Sequence, residues 1–202
     1  ILGESITVTK NSAGQTEVNG GRVSTLTEDN TYQDANGNKY IDFDTYFETL
    51  KNKANTYRQS SQSENVISDY SDMNRQSIDV SGVDQTKKFI YVDIDYSKLA
   101  GSQDITIKGL SSELNGPTII FNVQNMPSQD AWIQTKINYV YDNGTTVSQN
   151  SEDHSMPNHV VWNFGSYQNS INITSGRLLG SILAPDATVN VGVNVDGNIV
   201  GA

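Results

Sequence analysis

Four groups of residues in this chain carry side chains able to do chemistry. The segment Asp34-Ala35-Asn36-Gly37-Asn38-Lys39-Tyr40-Ile41-Asp42 puts oxygen-bearing side chains at alternate positions, as a calcium loop does. Its glycine falls at the fourth position rather than the sixth, and the twelfth residue is Thr45 rather than a bidentate Glu. A turn leading into a capped helix therefore explains the same residues, and Asp34, Asn36, Asn38 and Asp42 stand as a weak calcium candidate. Glu152, Asp153, His154, Ser155 and His159 are the one place where His, Ser and carboxylates gather. A nucleophilic triad needs those groups held on a rigid scaffold beside an oxyanion hole, and this segment is polar and loop-like. The two histidines are five residues apart with Pro157 between them, so they do not share a helix face as metal ligands would.

Asp93 and Asp95 alternate on one side of a strand, roughly 7 Å apart by strand geometry. Such a pair suits acid/base glycoside hydrolysis, but alternation also puts it on the solvent face, where nothing raises one pKa above the other. The fourth group is aromatic. Trp132, Tyr139, Tyr141 and Tyr167 would stack on sugar rings or contact a protein ligand if a flat β face exposes them.

The elements that position these groups are mainly strands. The alternation Ile90/Val92/Ile94 against Tyr91/Asp93/Asp95 marks one strand, and Ile105/Ile107 a short one. Pro117 to Val123 is largely apolar and expected to be buried on both sides. Trp132 to Tyr141 alternates through Ile133, Ile137, Tyr139 and Tyr141 and leads to a tight turn at Asn143-Gly144. Ile6 to Thr9 reads as a single strand or coil. From Asp42 to about Gln62 the period changes: Phe43, Tyr46, Phe47, Leu50, Ala54 and Tyr57 recur at helical spacing, giving the only convincing helix. Residues 59–77 read as a polar linker.

The last third repeats. Gly180-Ser181-Ile182-Leu183-Ala184 returns as Gly197-Asn198-Ile199-Val200-Gly201, and Ile171/Ile173 returns as Val189/Val191. Short apolar strands punctuated by glycine at such a period predict stacked coils, with Ile182, Leu183, Val189, Val191, Ile199 and Val200 in the inward stack. Pro185, lacking an N–H, belongs at a corner. The expected architecture is mainly β, a β-solenoid with one helix alongside, organised as a single domain over 1–202. Within it the helix covers about 42–62, a strand-rich insert about 78–159, and repeating coils about 160–202.

Composition narrows the partners. The chain has 202 residues, with Lys+Arg 13 against Asp+Glu 23 and a net charge of −10, a field that disfavours nucleic acid and anionic membranes. No stretch approaches the about 20 apolar residues of a membrane span. With no cysteine there is no disulfide, thiolate metal site or cysteine nucleophile. An Asn/Ser/Thr/Gln-rich chain without cysteine fits an exported protein of a Gram-positive bacterium. Its start at Ile1 rather than Met suggests a mature or excised piece of a longer protein.

Val161-Trp162-Asn163-Phe164-Gly165-Ser166-Tyr167, then Ile171-Asn172-Ile173, then Gly180 to Val189 with its Ala184-Pro185-Asp186 corner, then Gly197 to Ala202, resembles the choice-of-anchor A family. The stretch beginning Ile41-Asp42-Phe43-Asp44 is similar to that family's helix. The resemblance implies a right-handed, ice-binding-like β-solenoid acting as a noncatalytic adhesive domain at the tip of a wall-anchored stalk. It implies flanking stalk domains, a host or environmental glycan or surface protein as partner, no cofactor and no catalytic residue. A pectin-type solenoid enzyme using Asp93 and Asp95 is the first alternative. Ice binding is the second, and it needs a column of Thr that Thr106, Thr118, Thr174 and Thr188 do not form.

Overall fold

A computed structural model describes residues 6–26, 41–148, 150–151, 154–174 and 177–202. The contacts divide the chain into two compact units, Ile1–Glu48 and Thr49–Ala202. In the first unit the stretch read as one strand is a three-stranded antiparallel meander: β1 (Val8–Lys10), β2 (Thr16–Val18) and β3 (Gly21–Arg22). Asn19 and Gly20 connect β2 to β3, both at positive φ (49° and 79°), the conformation in which Asn-Gly closes a two-residue hairpin.

Helix α1 (Phe43–Gln59) begins where the sequence places it. Asp42 caps it, its carboxylate accepting from the Thr45 backbone N–H (3.3 Å) and hydroxyl (2.8 Å). The helix is shorter than expected and its apolar face is uneven: Ala54 is buried, whereas Phe43 and Tyr46 are exposed.

The second unit contains β4 (Ile67–Asp69), β5 (Gln76–Asp79), β6 (Phe89–Asp95), α2 (Tyr96–Ala100), β7 (Asp104–Leu110), β8 (Thr118–Gln124) and β9 (Ala131–Ile133). It continues with β10 (Lys136–Tyr141), β11 (Thr146–Val147), β12 (Val160–Asn163), β13 (Ile171–Ile173), β14 (Leu178–Leu179), β15 (Ser181–Ala184), β16 (Val189–Val191), β17 (Val195–Asp196) and β18 (Ile199–Gly201). Three expectations change. A second, short helix exists, capped by Asp95, whose carboxylate accepts from the Ser97 N–H. The linker at 59–77 contains β4. The run from Trp132 to Tyr141 is two strands in different sheets, because Thr135 between them turns its hydroxyl onto the carbonyls of Lys98 (2.5 Å) and Gly101 (2.9 Å).

These strands form small sheets in which parallel pairing dominates. One has the order β11-β10-β7-β5-β4, with β10, β7 and β5 parallel and the outer two antiparallel. A second, β18-β15-β12-β8-β6, and a third, β16-β13-β9, are parallel throughout. A two-stranded sheet pairs β14 with β17. The chain visits the first, second and third sheets in order twice, through β7, β8, β9 and then β10, β12, β13, and the next pass, β14, β15, β16, begins in the two-stranded sheet instead of the first. In the second and third sheets, residues 78–159 thus supply strands beside those of residues 160–202.

The repeat read from the sequence is a true register. Ile171 and Ile173 lie beside Val189 and Val191, and Ile182, Leu183 and Ala184 beside Ile199, Val200 and Gly201. Pairing across the second sheet aligns Val92, Phe121, Trp162, Ile182 and Ile199 in one column. Trp162 is fully buried there, stacked on Phe121 with ring centroids 4.5 Å apart, and its indole N–H donates to Leu179 O at 2.8 Å. Gly180, at φ 116°, sits so close to this ring that a Cβ would lie 2.6 Å from Nε1. The inward assignment changes at four positions: Leu183 and Val200 share the column of Asn163, on the face where α1 docks, and Val191 and Ile199 are exposed because β16 and β18 are edge strands with no further strand to cover them among the described residues.

Helix α1 docks on the outer face of the second sheet through a buried amide column. Asn163 Nδ2 donates to Ala54 O (2.8 Å) and to Asn122 Oδ1 (2.9 Å), while Asn122 Nδ2 donates to Tyr57 O (2.8 Å). Tyr57 is in the last turn, and its carbonyl accepts from the Ser60 N–H (3.1 Å) as well as from Asn122, so the sheet adds to the C-terminal cap. Arg58 adds a bond to Val123 O and Lys51 an ion pair to Asp186 (3.1 Å).

Candidate functional site

The parity of each strand decides which side chains meet solvent. On β9, Ala131 and Ile133 face the core and Trp132 points out, 44% exposed. Parallel register places Asn172 and then Asn190 beside it, so the outer face of the third sheet carries the strip Trp132–Asn172–Asn190. Asn190 Nδ2 donates to Asn172 Oδ1 (2.9 Å), and Asn172 Nδ2 to Ala131 O (3.2 Å), which holds the amide planes in order. Tyr96 braces the tryptophan backbone, its hydroxyl accepting from the Trp132 N–H at 3.0 Å. Tyr167 is half-buried and donates its hydroxyl to Gln129 O. Burial raises the Tyr167 pKa, so the phenol stays a donor at neutral pH. An indole face flanked by fixed amides is chemistry suited to a sugar ring or a flat peptide surface.

Two of the four aromatics expected at a binding face lie elsewhere. Tyr139 is 3% exposed and Tyr141 4%, both pointing inward from β10 and meeting edge-to-face. They share strand parity with Ile137, so neither offers a ring face to a ligand across the sheet surface.

The acidic pair is committed to structure. Asp95 caps α2 and accepts from Asn125 Nδ2 (2.6 Å), and these hydrogen bonds, the Asn125 one largest, hold its carboxyl below the usual range. Asp93 accepts from Gln124 Nε2 (2.9 Å). An acid catalyst needs a raised pKa, and the environment of Asp95 works in the opposite direction.

His154 and His159 are not brought together. His159 is buried with its Nε2 2.7 Å from Glu113 O, whereas His154 is largely exposed, 3.6 Å from Asp196 Oδ2. Glu152 and Asp153 lie outside the described residues, as do Asp34, Asn36 and Asn38 of the calcium-like loop; Asp42 is the cap of α1. Among the described residues no group of three or more His, Cys, Asp or Glu is placed to hold a metal ion. No helix among them is long and apolar enough to cross a membrane.

One cluster has no counterpart in the sequence reading. The buried Arg177 donates through Nη2 to Asp196 Oδ2, and Arg177 Nε and Nη1 have no hydrogen-bond partner among the described residues. Asp196 lines a cavity of about 390 Å3, with Tyr139, Asn158, Ser181 and Asn198 among its walls. The Tyr139 hydroxyl is also buried without a partner. Burial raises its pKa far above the ordinary value, with Tyr141 and Asp196 adding to the effect, so it stays protonated. Arg177, Asp196 and Tyr139 come from different passes of the chain, and only the pairing of β14 with β17 joins the first two.

The fold and these surfaces define a mainly β domain built from short parallel sheets, with an aromatic-amide strip on one face and a polar cavity at a corner. The family described as "Putative Ice-binding-like adhesive domain" matches residues 1–202, and the chain belongs to that family of adhesive domains. No curated protein and no solved structure matches the chain.

Proposed function

We propose that this chain is a noncatalytic adhesive domain, wound as a right-handed β-solenoid with α1 alongside. It is displayed on the surface of a Gram-positive bacterium as part of a wall-anchored protein with stalk domains, and it binds a host or environmental glycan or surface protein. The observation that carries this reading is the match to the adhesive-domain family over the whole chain. Support for the solenoid comes from the recurring strand order and from the right-handedness of nearly all parallel crossovers. The likeness of residues 161–202 to the choice-of-anchor A family supports the wall-anchored setting. The strip Trp132–Asn172–Asn190, with Tyr167, is the surface we assign to ligand contact.

The enzymatic alternative is weakened by the structural duties of Asp93 and Asp95. Ice binding is weakened by the registers: Thr106 has Ser77 and Asn138 as neighbours and Thr118 has Phe89, so neither sits in a threonine column.

The test is a binding screen of the 202-residue chain against a glycan array and a panel of extracellular-matrix proteins, with and without calcium. A specific hit that weakens at least tenfold in Trp132→Ala, with unchanged thermal unfolding, is expected. Loss of that hit on chelation would assign calcium to the Asp34 loop. Binding to nothing in either panel refutes the adhesive reading, and glycan cleavage lost in Asp93→Asn replaces it with the enzymatic one.

A further inference from the structure

Native structures leave few buried polar groups without partners, and each costs about 1–3 kcal/mol. Among the described residues three such atoms occur: Tyr139 Oη, on a residue of the cavity wall, and Nε and Nη1 of Arg177, which lies outside that wall and bonds through Nη2 to Asp196 within it. A cluster serving stability alone would have used apolar residues or completed its hydrogen bonds. The cavity volume, about 390 Å3, lies within the range of small-ligand sites.

The lining indicates the class of ligand. Asp196 offers carboxylate oxygens, Asn158 and Asn198 offer amides, and Ser181 a hydroxyl, while Val147 and Leu179 supply apolar surface. Asp196 is already neutralised by Arg177, so a cation finds no net charge to pair with. An anion meets the field of a chain of net charge −10. A neutral molecule with several hydroxyls and an apolar C–H face matches both halves of the wall.

We propose that the cavity bounded by Tyr139, Asn158, Ser181, Asp196 and Asn198 binds a single neutral pyranose residue. This rests on the adhesive reading and deepens it by naming the ligand class of a second site, separate from the Trp132 strip. The volume limits the site to one sugar residue or the end of a glycan, so affinity for a lone glycoside is in the millimolar range typical of so few contacts.

The experiment is a titration of the isotope-labelled chain with methyl glycosides of neutral hexoses and N-acetylhexosamines, followed by amide chemical shifts. Three variants are compared: Tyr139→Phe, Asn198→Trp to block the cavity from an exposed position, and Trp132→Ala. Tyr139→Phe removes a buried hydroxyl that has no partner, so its melting temperature should equal or exceed the parent's while its affinity falls at least fivefold. A purely structural tyrosine would not separate stability from binding in this way. At least one glycoside is expected to shift the amides of residues 195–198, with Asn198→Trp abolishing and Trp132→Ala preserving the effect. Shifts confined to the Trp132 strip, or binding unaffected by Tyr139→Phe and Asn198→Trp, overturn the cavity site and leave the adhesive reading intact. If no glycoside binds while the array or matrix panel gives a hit, the cavity proposal alone fails; if neither binds, both fail.

Discussion

Replacing Asn163 with Ala should be among the most damaging single polar substitutions in this protein. Its side chain is fully buried between β12 and α1 and makes three hydrogen bonds: two from Nδ2, to Ala54 O and Asn122 Oδ1, and one accepted by Oδ1 from the Gly165 N–H at 3.1 Å. Truncation leaves the Gly165 N–H and the Asn122 Oδ1 buried without those partners, at about 1–3 kcal/mol each, and opens a small void. A loss of about 3–4 kcal/mol follows, and for a protein of this size the melting temperature should fall by about 10 °C. The measurement is urea and thermal unfolding of the full chain, with Asn190→Ala as control. Asn190 makes an amide bond of the same length, 2.9 Å, but it is exposed, so its truncation should cost under about 0.5 kcal/mol. Because Asn122 and Asn163 touch, the double alanine variant should cost less than the sum of the singles. A loss below about 1 kcal/mol for Asn163→Ala would refute the view that this amide column holds the helix to the sheet.

Gly180→Ala should destabilise by about 3 kcal/mol or more, since the new Cβ would lie 2.6 Å from Trp162 Nε1 and 2.9 Å from Val160 Cγ1 at a φ of 116°. Gly144→Ala, at φ 82° with open space around it, should cost about 1 kcal/mol, and equal losses at the two sites would contradict the close-approach argument. Acid should weaken the fold through four turn carboxylates. Asp69, Asp84, Asp95 and Asp142 are held below the usual 3.8, chiefly by hydrogen bonds from Ser71, Thr86, Asn125 and Ser112 respectively. A depressed folded-state pKa gives stability that is present above the unfolded value and lost as pH falls through the folded one. The melting temperature should therefore be level down to about pH 5 and decline below about pH 4. Asn at all four positions should flatten that decline, and an undiminished acid slope would show that other groups carry it.

The legible parts of the fold are those where one residue pattern answers one neighbour. Ile171/Ile173 and Val189/Val191 announce their own pairing because a parallel coil aligns equivalent residues. The apolar residues of β8, interrupted by Asn122, form a strand buried on both sides, one under α1 and one in the core. Less legible were the features whose cause is a distant partner. Thr135 breaks β9 from β10 by reaching carbonyls more than 30 residues earlier, and no local signal marks that turn. Helix α2 is five residues long and rests on the Asp95 cap rather than on an apolar period. The meander of β1 to β3 differs from the single strand or coil expected there, because Asn19-Gly20 at positive φ closes a hairpin between strands only two or three residues long.

The candidate site divides along the same line. Trp132 differs in parity from Ile133, Ile137, Tyr139 and Tyr141, and that alone separates the exposed indole from the two buried phenols. Counting aromatics selects all three, whereas reading their phase against the isoleucines selects one. The strip beside Trp132 is then fixed by register, since only pairing with β13 and β16 puts Asn172 and Asn190 next to it. Asp196 goes a step further, because the β14–β17 register must bring it to Arg177 and Tyr139 must turn inward from β10 before Asp196 and Tyr139 line one cavity. In a chain of stacked parallel passes, a surface is therefore a column across strands rather than a motif along one. Residues that look unrelated, Asn158 and Tyr139 at spacings of 38 and 57 from Asp196, become a single wall.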